Sequence, residues 1–176
     1  MPVVNLGFSA PINPPGATPI LTPSQVWTGL CAKVRHANLF VPLITACEVL
    51  SEDSSNPDEP VVTRRVTFNR TWAATAQGKE VAPGGETVVT EVCRLHEPAR
   101  IDFEQEDGTR IGNFVTVDKD GGLVMTYVFE WKVKGEVAEE TVARFRQVSW
   151  VFTAKMAVEG SIDTIRKIVT GEVVIP

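Results

Sequence analysis

The chain has 176 residues, about the length of one domain, and its 43% hydrophobic and 22% charged residues exclude a disordered or fibrous polymer. With 17 Lys and Arg against 22 Asp and Glu the net charge is −5, and Arg64-Arg65 is the only adjacent Arg pair. Nucleic acid and anionic membrane surfaces are held by clustered positive charge, so neither is an expected partner.

Met1 to Ser9 carry neither a basic leader nor an apolar core, so no secretory signal is expected. No run approaches about 18 consecutive apolar residues, so no membrane insertion is expected. Cys31, Cys47 and Cys93 are odd in number and widely spaced, which points to reduced thiols and a cytoplasmic setting. Mean hydropathy is nevertheless +0.02, so a chain with ordinary charge has surplus apolar surface to place.

Val3 to Ile12 alternates loosely and reads as an opening strand, ended by the Pro- and Gly-rich segment Pro11 to Pro19. Thr22-Pro23-Ser24-Gln25 is a helix start: Thr22 caps, Pro23 suits the first turn, and Gln25 closes a capping box. Val26, Trp27, Leu30, Lys33 and Val34 continue at helical spacing, predicting a helix over Pro23 to His36 and a second short one over Asn38 to Ile44. Six strands follow, Cys47 to Ser51, Val61 to Phe68, Thr87 to Leu95, Arg100 to Gln105, Arg110 to Val117 and Leu123 to Val133. Their Gly, Pro, Asp and Asn punctuation predicts an antiparallel meander. Asn69 to Gly85, carrying Trp72, is either a flap over a site or a plain surface loop.

From Glu136 to Thr170 the period becomes helical. Val148, Val151, Val158, Ile162, Ile165 and Val169 form one stripe, widened by Phe145, Phe152 and Met156. Opposite-sign pairs Asp163 with Lys167 and Glu140 with Arg144 lie on the other side. An antiparallel sheet must cover its apolar face, and this long helix is available to do so.

This order resembles the helix-grip fold of the START/Bet v 1-like (SRPBCC) superfamily, and within it the AtaL-like group of bacterial and fungal proteins. The residues carrying the likeness are Leu21 to Leu30 with Phe40-Val41-Pro42, Arg64 to Phe68, Glu91 to His96, and Ser161 to Ile168. The resemblance implies an α+β fold over residues 1–176 as a single ligand-binding domain. In it a seven-stranded curved antiparallel sheet wraps a long C-terminal helix, with two short N-terminal helices. It also implies an internal cavity for a hydrophobic small molecule, either carried or converted without a metal or cofactor.

Within that frame the strands place charge in unusual positions. Arg64, Val66 and Phe68 share one face, as do Val89, Glu91, Cys93 and Leu95. If their apolar members point inward, Arg64 and Glu91 are buried, either as a pair or orienting a ligand. Reversed faces would leave both solvated. On the last strand Leu123, Met125, Tyr127, Phe129 and Trp131 share a face. Tyr127, the only tyrosine, either donates to a ligand carbonyl or is a core residue satisfied elsewhere. Phe145, Val148, Phe152 and Met156 are expected to floor the cavity from the helix side. Trp27 and Trp150 lie near its rim or in the core. His36 and His96 have no companions at ligand spacing, so no metal site is expected.

These residues support two functional readings and, more weakly, a third, a protein-interaction module of the same fold with a filled core. In the preferred one, a polyketide-like or other secondary metabolite undergoes cofactor-free cyclisation, isomerisation or dehydration. Glu91 moves a proton, Arg64 orients it, and Tyr127 donates to the carbonyl; Val66, Phe68, Val89, Met125, Phe129 and Trp131 hold the ligand with the helix residues. In the other, the protein is a non-catalytic carrier or sensor. A homodimer is open in both.

Overall fold

A computed structural model of the chain describes residues 3–69, 86–132 and 150–176, with side chains in the last segment from Thr153 onward. In chain order these form β1 (Val3–Pro11), α1 (Pro23–Arg35), α2 (Ala37–Phe40), β2 (Ile44–Asp53) and β3 (Val61–Asn69). There follow β4 (Glu86–His96), β5 (Arg100–Gln105), β6 (Arg110–Val117), β7 (Leu123–Lys132) and α3 (Trp150–Thr170). The strands make one curved, open antiparallel sheet in the order β1-β7-β6-β5-β4-β3-β2. From β2 to β7 each strand therefore lies beside its sequence neighbour, while β1 returns to pair with β7.

Local chemistry explains the boundaries. At the start of α1 the Gln25 amide N–H donates to the Thr22 hydroxyl at 3.3 Å, and the Thr22 N–H donates to Gln25 Oε1 at 2.9 Å. Both arms of the capping box are thus present. Asn13 holds the preceding loop closed, donating to the Leu21 carbonyl at 2.9 Å and accepting from its N–H at 2.8 Å. The expected second helix, Asn38 to Ile44, is a single turn, Ala37–Phe40. Val41 precedes Pro42 and is extended, at φ −124° and ψ 105°, because the proline ring disfavours helical backbone in the residue before it. Ile44 then already pairs with Phe68, so β2 is longer than the expected Cys47 to Ser51.

β2 is an edge strand and is largely exposed. Two register shifts interrupt its pairing, and it carries Glu48, Glu52 and Asp53, features that discourage a second sheet from adding there.

α3 packs against β1, β7, α1 and α2. Ala154, Val158, Ile162 and Ile165 are buried, whereas Asp163 and Lys167 form an exposed ion pair at 2.7 Å. Arg166 donates to the carbonyls of Ile12 and Pro19, tying the helix to the loop between β1 and α1. The expected helical stretch before Trp150, with Phe145, Val148 and the Glu140–Arg144 pair, lies outside the described residues. So do the Phe152 side chain, most of the Asn69 to Gly85 segment and Trp72. No described helix is long and apolar enough to cross a membrane.

Candidate functional site

The sheet register assembles the site from residues far apart in sequence. Arg64 lies opposite Glu91, and Glu91 opposite Gln105, across β3, β4 and β5. The next inward row is Val62, Cys93, Phe103, Ile111 and Phe129, and the row beyond is Leu95, Ile101, Asn113 and Tyr127. Because side chains alternate, these rows face α1 and α3 together. Arg64, Glu91, Gln105, Phe103, Ile111, Phe129, Asn113 and Tyr127 from these rows line a partly open cavity of about 270 Å³, bounded also by Lys33 of α1, by Phe40 to Ile44 and by Thr153, Met156 and Ala157 of α3.

The inward orientation holds for the charged strand residues: Arg64 is 4% and Glu91 2% exposed. Glu91 Oε2 accepts from Arg64 Nε at 2.9 Å and Nη2 at 2.6 Å, and Oε1 accepts from Gln105 Nε2 at 2.9 Å. Arg64 Nη1 donates to the carbonyls of Lys33 and Val34, each at 2.9 Å. Those carbonyls belong to the last turn of α1, which lacks intrahelical donors and carries the negative end of the helix dipole. One guanidinium therefore joins α1, β3 and β4. Its flank lies 4.8 Å from the centroid of the Phe103 ring. Burial, the largest single influence, works against the Arg64 charge, but the Glu91 carboxylate together with the Cys93 and Cys47 thiols holds the guanidinium above its ordinary pKa.

The second polar group is centred on Lys33, 6% exposed, whose Nζ donates to the Tyr127 hydroxyl at 2.9 Å and lies 4.1 Å from that ring's centroid. Burial, reinforced by the Arg64 cation, lowers the Lys33 pKa from 10.5 to about 7; Glu91 opposes this only in part. Burial pushes the Tyr127 phenol upward, with the Ser161 hydroxyl acting in the opposite direction, so the phenol keeps its proton across the neutral range. Asn113, 1% exposed and opposite Tyr127 in the sheet, has no hydrogen-bond partner for either amide atom among the described residues. Phe129 and Trp131 form an aromatic wall beside these groups, with centroids 4.7 Å apart.

Arg64, Glu91, Tyr127, Phe68, Phe129, Trp131 and Met156 all line the cavity, Met156 from a 40% exposed position at its mouth. Val66, Val89 and Met125, expected beside them, do not. Val66 is sealed in a separate cluster with Ala37 and Ile44, against which Val89 packs, because α2 and the start of β2 cover that end of the sheet. Met125 is fully buried in the main core, opposite Ala10 of β1. Trp27 is a core residue at 9% exposure. Cys93, also in the core, has its thiol pushed up to about 12 by burial.

Lys33, Gln105 and Asn113 carry polar chemistry that the sequence reading did not assign. Each left a trace: Lys33 lies in the apolar stripe of α1, Gln105 alternates with Ile101 and Phe103, and Asn113 with Ile111 and Val115. Among the described residues no group of three or more His, Cys, Asp or Glu is arranged to hold a metal ion.

The family described as acetylaranotin biosynthesis cluster protein L (AtaL) matches residues 6–171 of this chain. No curated protein matches in sequence. StfQ, the di-domain ARO/CYC of the steffimycin biosynthetic pathway, is similar in structure with a TM-score of 0.62 at 10% identity, covering 96% of this chain and 52% of StfQ. The chain thus spans about half the length of that protein. KanY is similar with a TM-score of 0.58 at 11% identity over 97% of this chain and 100% of KanY. A START superfamily protein from Mycobacterium smegmatis gives 0.53 at 11% over 97% and 99%. At such identities the likeness establishes the fold alone. The family match over residues 6–171 shows that the chain belongs to the AtaL family, and the structural likeness shows that it shares the helix-grip fold of the START superfamily protein.

Proposed function

We propose that the cavity binds a hydrophobic, carbonyl-bearing small molecule of polyketide or related secondary-metabolite type and promotes its cofactor-free cyclisation, isomerisation or dehydration. The observation that carries this reading is convergence. Three buried polar groups, Lys33 with Tyr127, Arg64 with Glu91, and Asn113, unpartnered among the described residues, border one otherwise aromatic and aliphatic cavity. A greasy container needs none of them. The description of StfQ as an ARO/CYC and the AtaL family's biosynthesis-cluster description support the same class of ligand.

In this mechanism Tyr127 donates to the ligand carbonyl while Lys33 holds the phenol oxygen in place. Developing negative charge on the carbonyl oxygen is stabilised by the same donor in a water-poor setting. Glu91 accepts a proton from the carbon chain, and Arg64 and Gln105 fix its position. Enclosure by Phe103, Ile111, Phe129 and Trp131 limits the conformations the ligand can adopt.

Native mass spectrometry of freshly purified protein is expected to reveal a retained small molecule. Once a substrate is in hand, Tyr127→Phe should lower kcat about 10²-fold. Glu91→Gln should lower it further, with melting curves confirming a folded variant. Unchanged turnover in a folded Glu91→Gln protein removes the proton-transfer role.

The carrier reading is favoured by one feature: both Glu91 oxygens are already engaged, by three N–H groups in all. It predicts that a bound ligand leaves with its mass and structure unchanged.

A further inference from the structure

Lys33 is the one buried amine among the described residues, and the carbonyl mechanism above uses it only to steady Tyr127. Its surroundings suit a more direct role. Nζ borders the cavity and has the Tyr127 hydroxyl as its hydrogen-bond acceptor. No carboxylate lies within ion-pair distance of it among the described residues. Glu91, the acid among the described residues that acts on Lys33 electrostatically, is taken up by Arg64 and Gln105. Among the described residues, the titratable groups facing the amine are Tyr127 from β7, Arg64 from β3, and Glu91 and Cys93 from β4. An amine that is desolvated, set beside a fixed cation and denied a counter-ion favours its neutral, nucleophilic form.

We propose that Lys33 is an imine-forming amine and that the ligands of this cavity are hydrophobic ketones or aldehydes. This rests on the cavity being a small-molecule site. In the step itself, the Nζ lone pair attacks the carbonyl carbon and a C–N bond forms. The Tyr127 hydroxyl, hydrogen-bonded to Nζ, donates to the carbonyl oxygen as its charge develops. Both amine hydrogens then leave with that oxygen as one water, giving a C=N bond. The imine withdraws electrons from the adjacent carbon, so a proton there becomes easier to remove, the activation that cyclisation and dehydration both require. Burial lowers the amine to about 7, so near neutral pH about half of it is the free base.

The test uses the full chain with 2-acetonaphthone as probe, 2-ethylnaphthalene as its carbonyl-free analogue, and sodium cyanoborohydride as trap. Binding of each compound is read by quenching of tryptophan fluorescence, and adducts by intact mass and peptide mapping. The expected result is one stable adduct on Lys33, formed at least about 10-fold faster at pH 7 than on the exposed, ion-paired Lys119, Lys155 and Lys167. Its rate should rise through pH 7 and then level. Lys33→Met and Lys33→Arg should lose the adduct, and Tyr127→Phe should slow it.

Mapping is done on the unsubstituted chain, so the assignment does not depend on the variants folding. If both compounds bind but no adduct appears on Lys33, the imine inference fails and the small-molecule reading stands. Equal labelling of the exposed lysines overturns it as well. If neither compound binds, the small-molecule reading fails and the inference falls with it.

Discussion

Arg64 and Lys33 are two buried cations whose amino and guanidinium groups face the same cavity, and their surroundings treat them oppositely. Arg64 meets the Glu91 carboxylate and two helix-end carbonyls, so its charge is retained. Removing one partner of such a pair strands the other. Arg64→Met alone should cost about 3–5 kcal/mol in urea unfolding, whereas the Arg64→Met/Glu91→Met double variant should recover most of that loss. Lys33 meets a phenol and another cation and is pushed towards neutrality. Its folded pKa near 7 lies below the unfolded value near 10.5, so the unfolded chain binds the extra proton between them. Stability from this group therefore rises with pH across roughly 7 to 10.5 and is lowest below 7, with a slope of at most about 1.4 kcal/mol per pH unit. Lys33→Met, which has no charge to bury, should raise Tm relative to the parent more at pH 6 than at pH 9; an equal gain at both would contradict the pKa assignment.

At the scale of elements, the cavity depends on how closely α1 approaches α3. A Cβ added at Gly29 would fall 2.9 Å from Ile165 Cδ1 and nearer still to its Cγ1. Ile165 is buried and β-branched, so it cannot swing away. Gly29→Ala should cost about 1–3 kcal/mol despite alanine's better helix propensity, and an increase in Tm would show that the two helices can separate. α1 is fixed at its C-terminal end by Arg64, which satisfies final-turn carbonyls while pairing with Glu91 of β4. The same side chain that holds Glu91 thus determines where Lys33 sits. This coupling explains why the site lies at the C-terminal end of α1 and not beside the capping box at its start.

For the whole molecule, the sheet leaves a partly open cavity that α1, α3 and the Phe40 to Ile44 segment border. A ligand that binds only the folded chain stabilises it by mass action. At a concentration of 100 times Kd the gain is about 2.7 kcal/mol, a rise in Tm of roughly 5–10 °C for a chain this long. A thermal-shift series of hydrophobic ketones measures this, and the absence of any shift across the series would count against the cavity as a binding site. Much of this architecture was legible beforehand because it rests on local rules. The Thr22 to Gln25 cap, the turn residues between strands and the change of period near the C-terminus act within a few residues, and they determined the seven strands, the meander and the covering helix. The alternation of Arg64 with Phe68 and of Glu91 with Cys93 likewise grouped both charges with apolar residues, while leaving open whether that face turns inward. Only tertiary packing decided which positions on those faces meet open space. Val66 and Arg64 share a face, yet α2 seals one while the cavity admits the other. Lys33, Gln105 and Asn113 sit on three separate elements, and their convergence depends on strand register and helix approach. A side chain's periodicity reveals which way it points; what it meets there depends on residues tens of positions away.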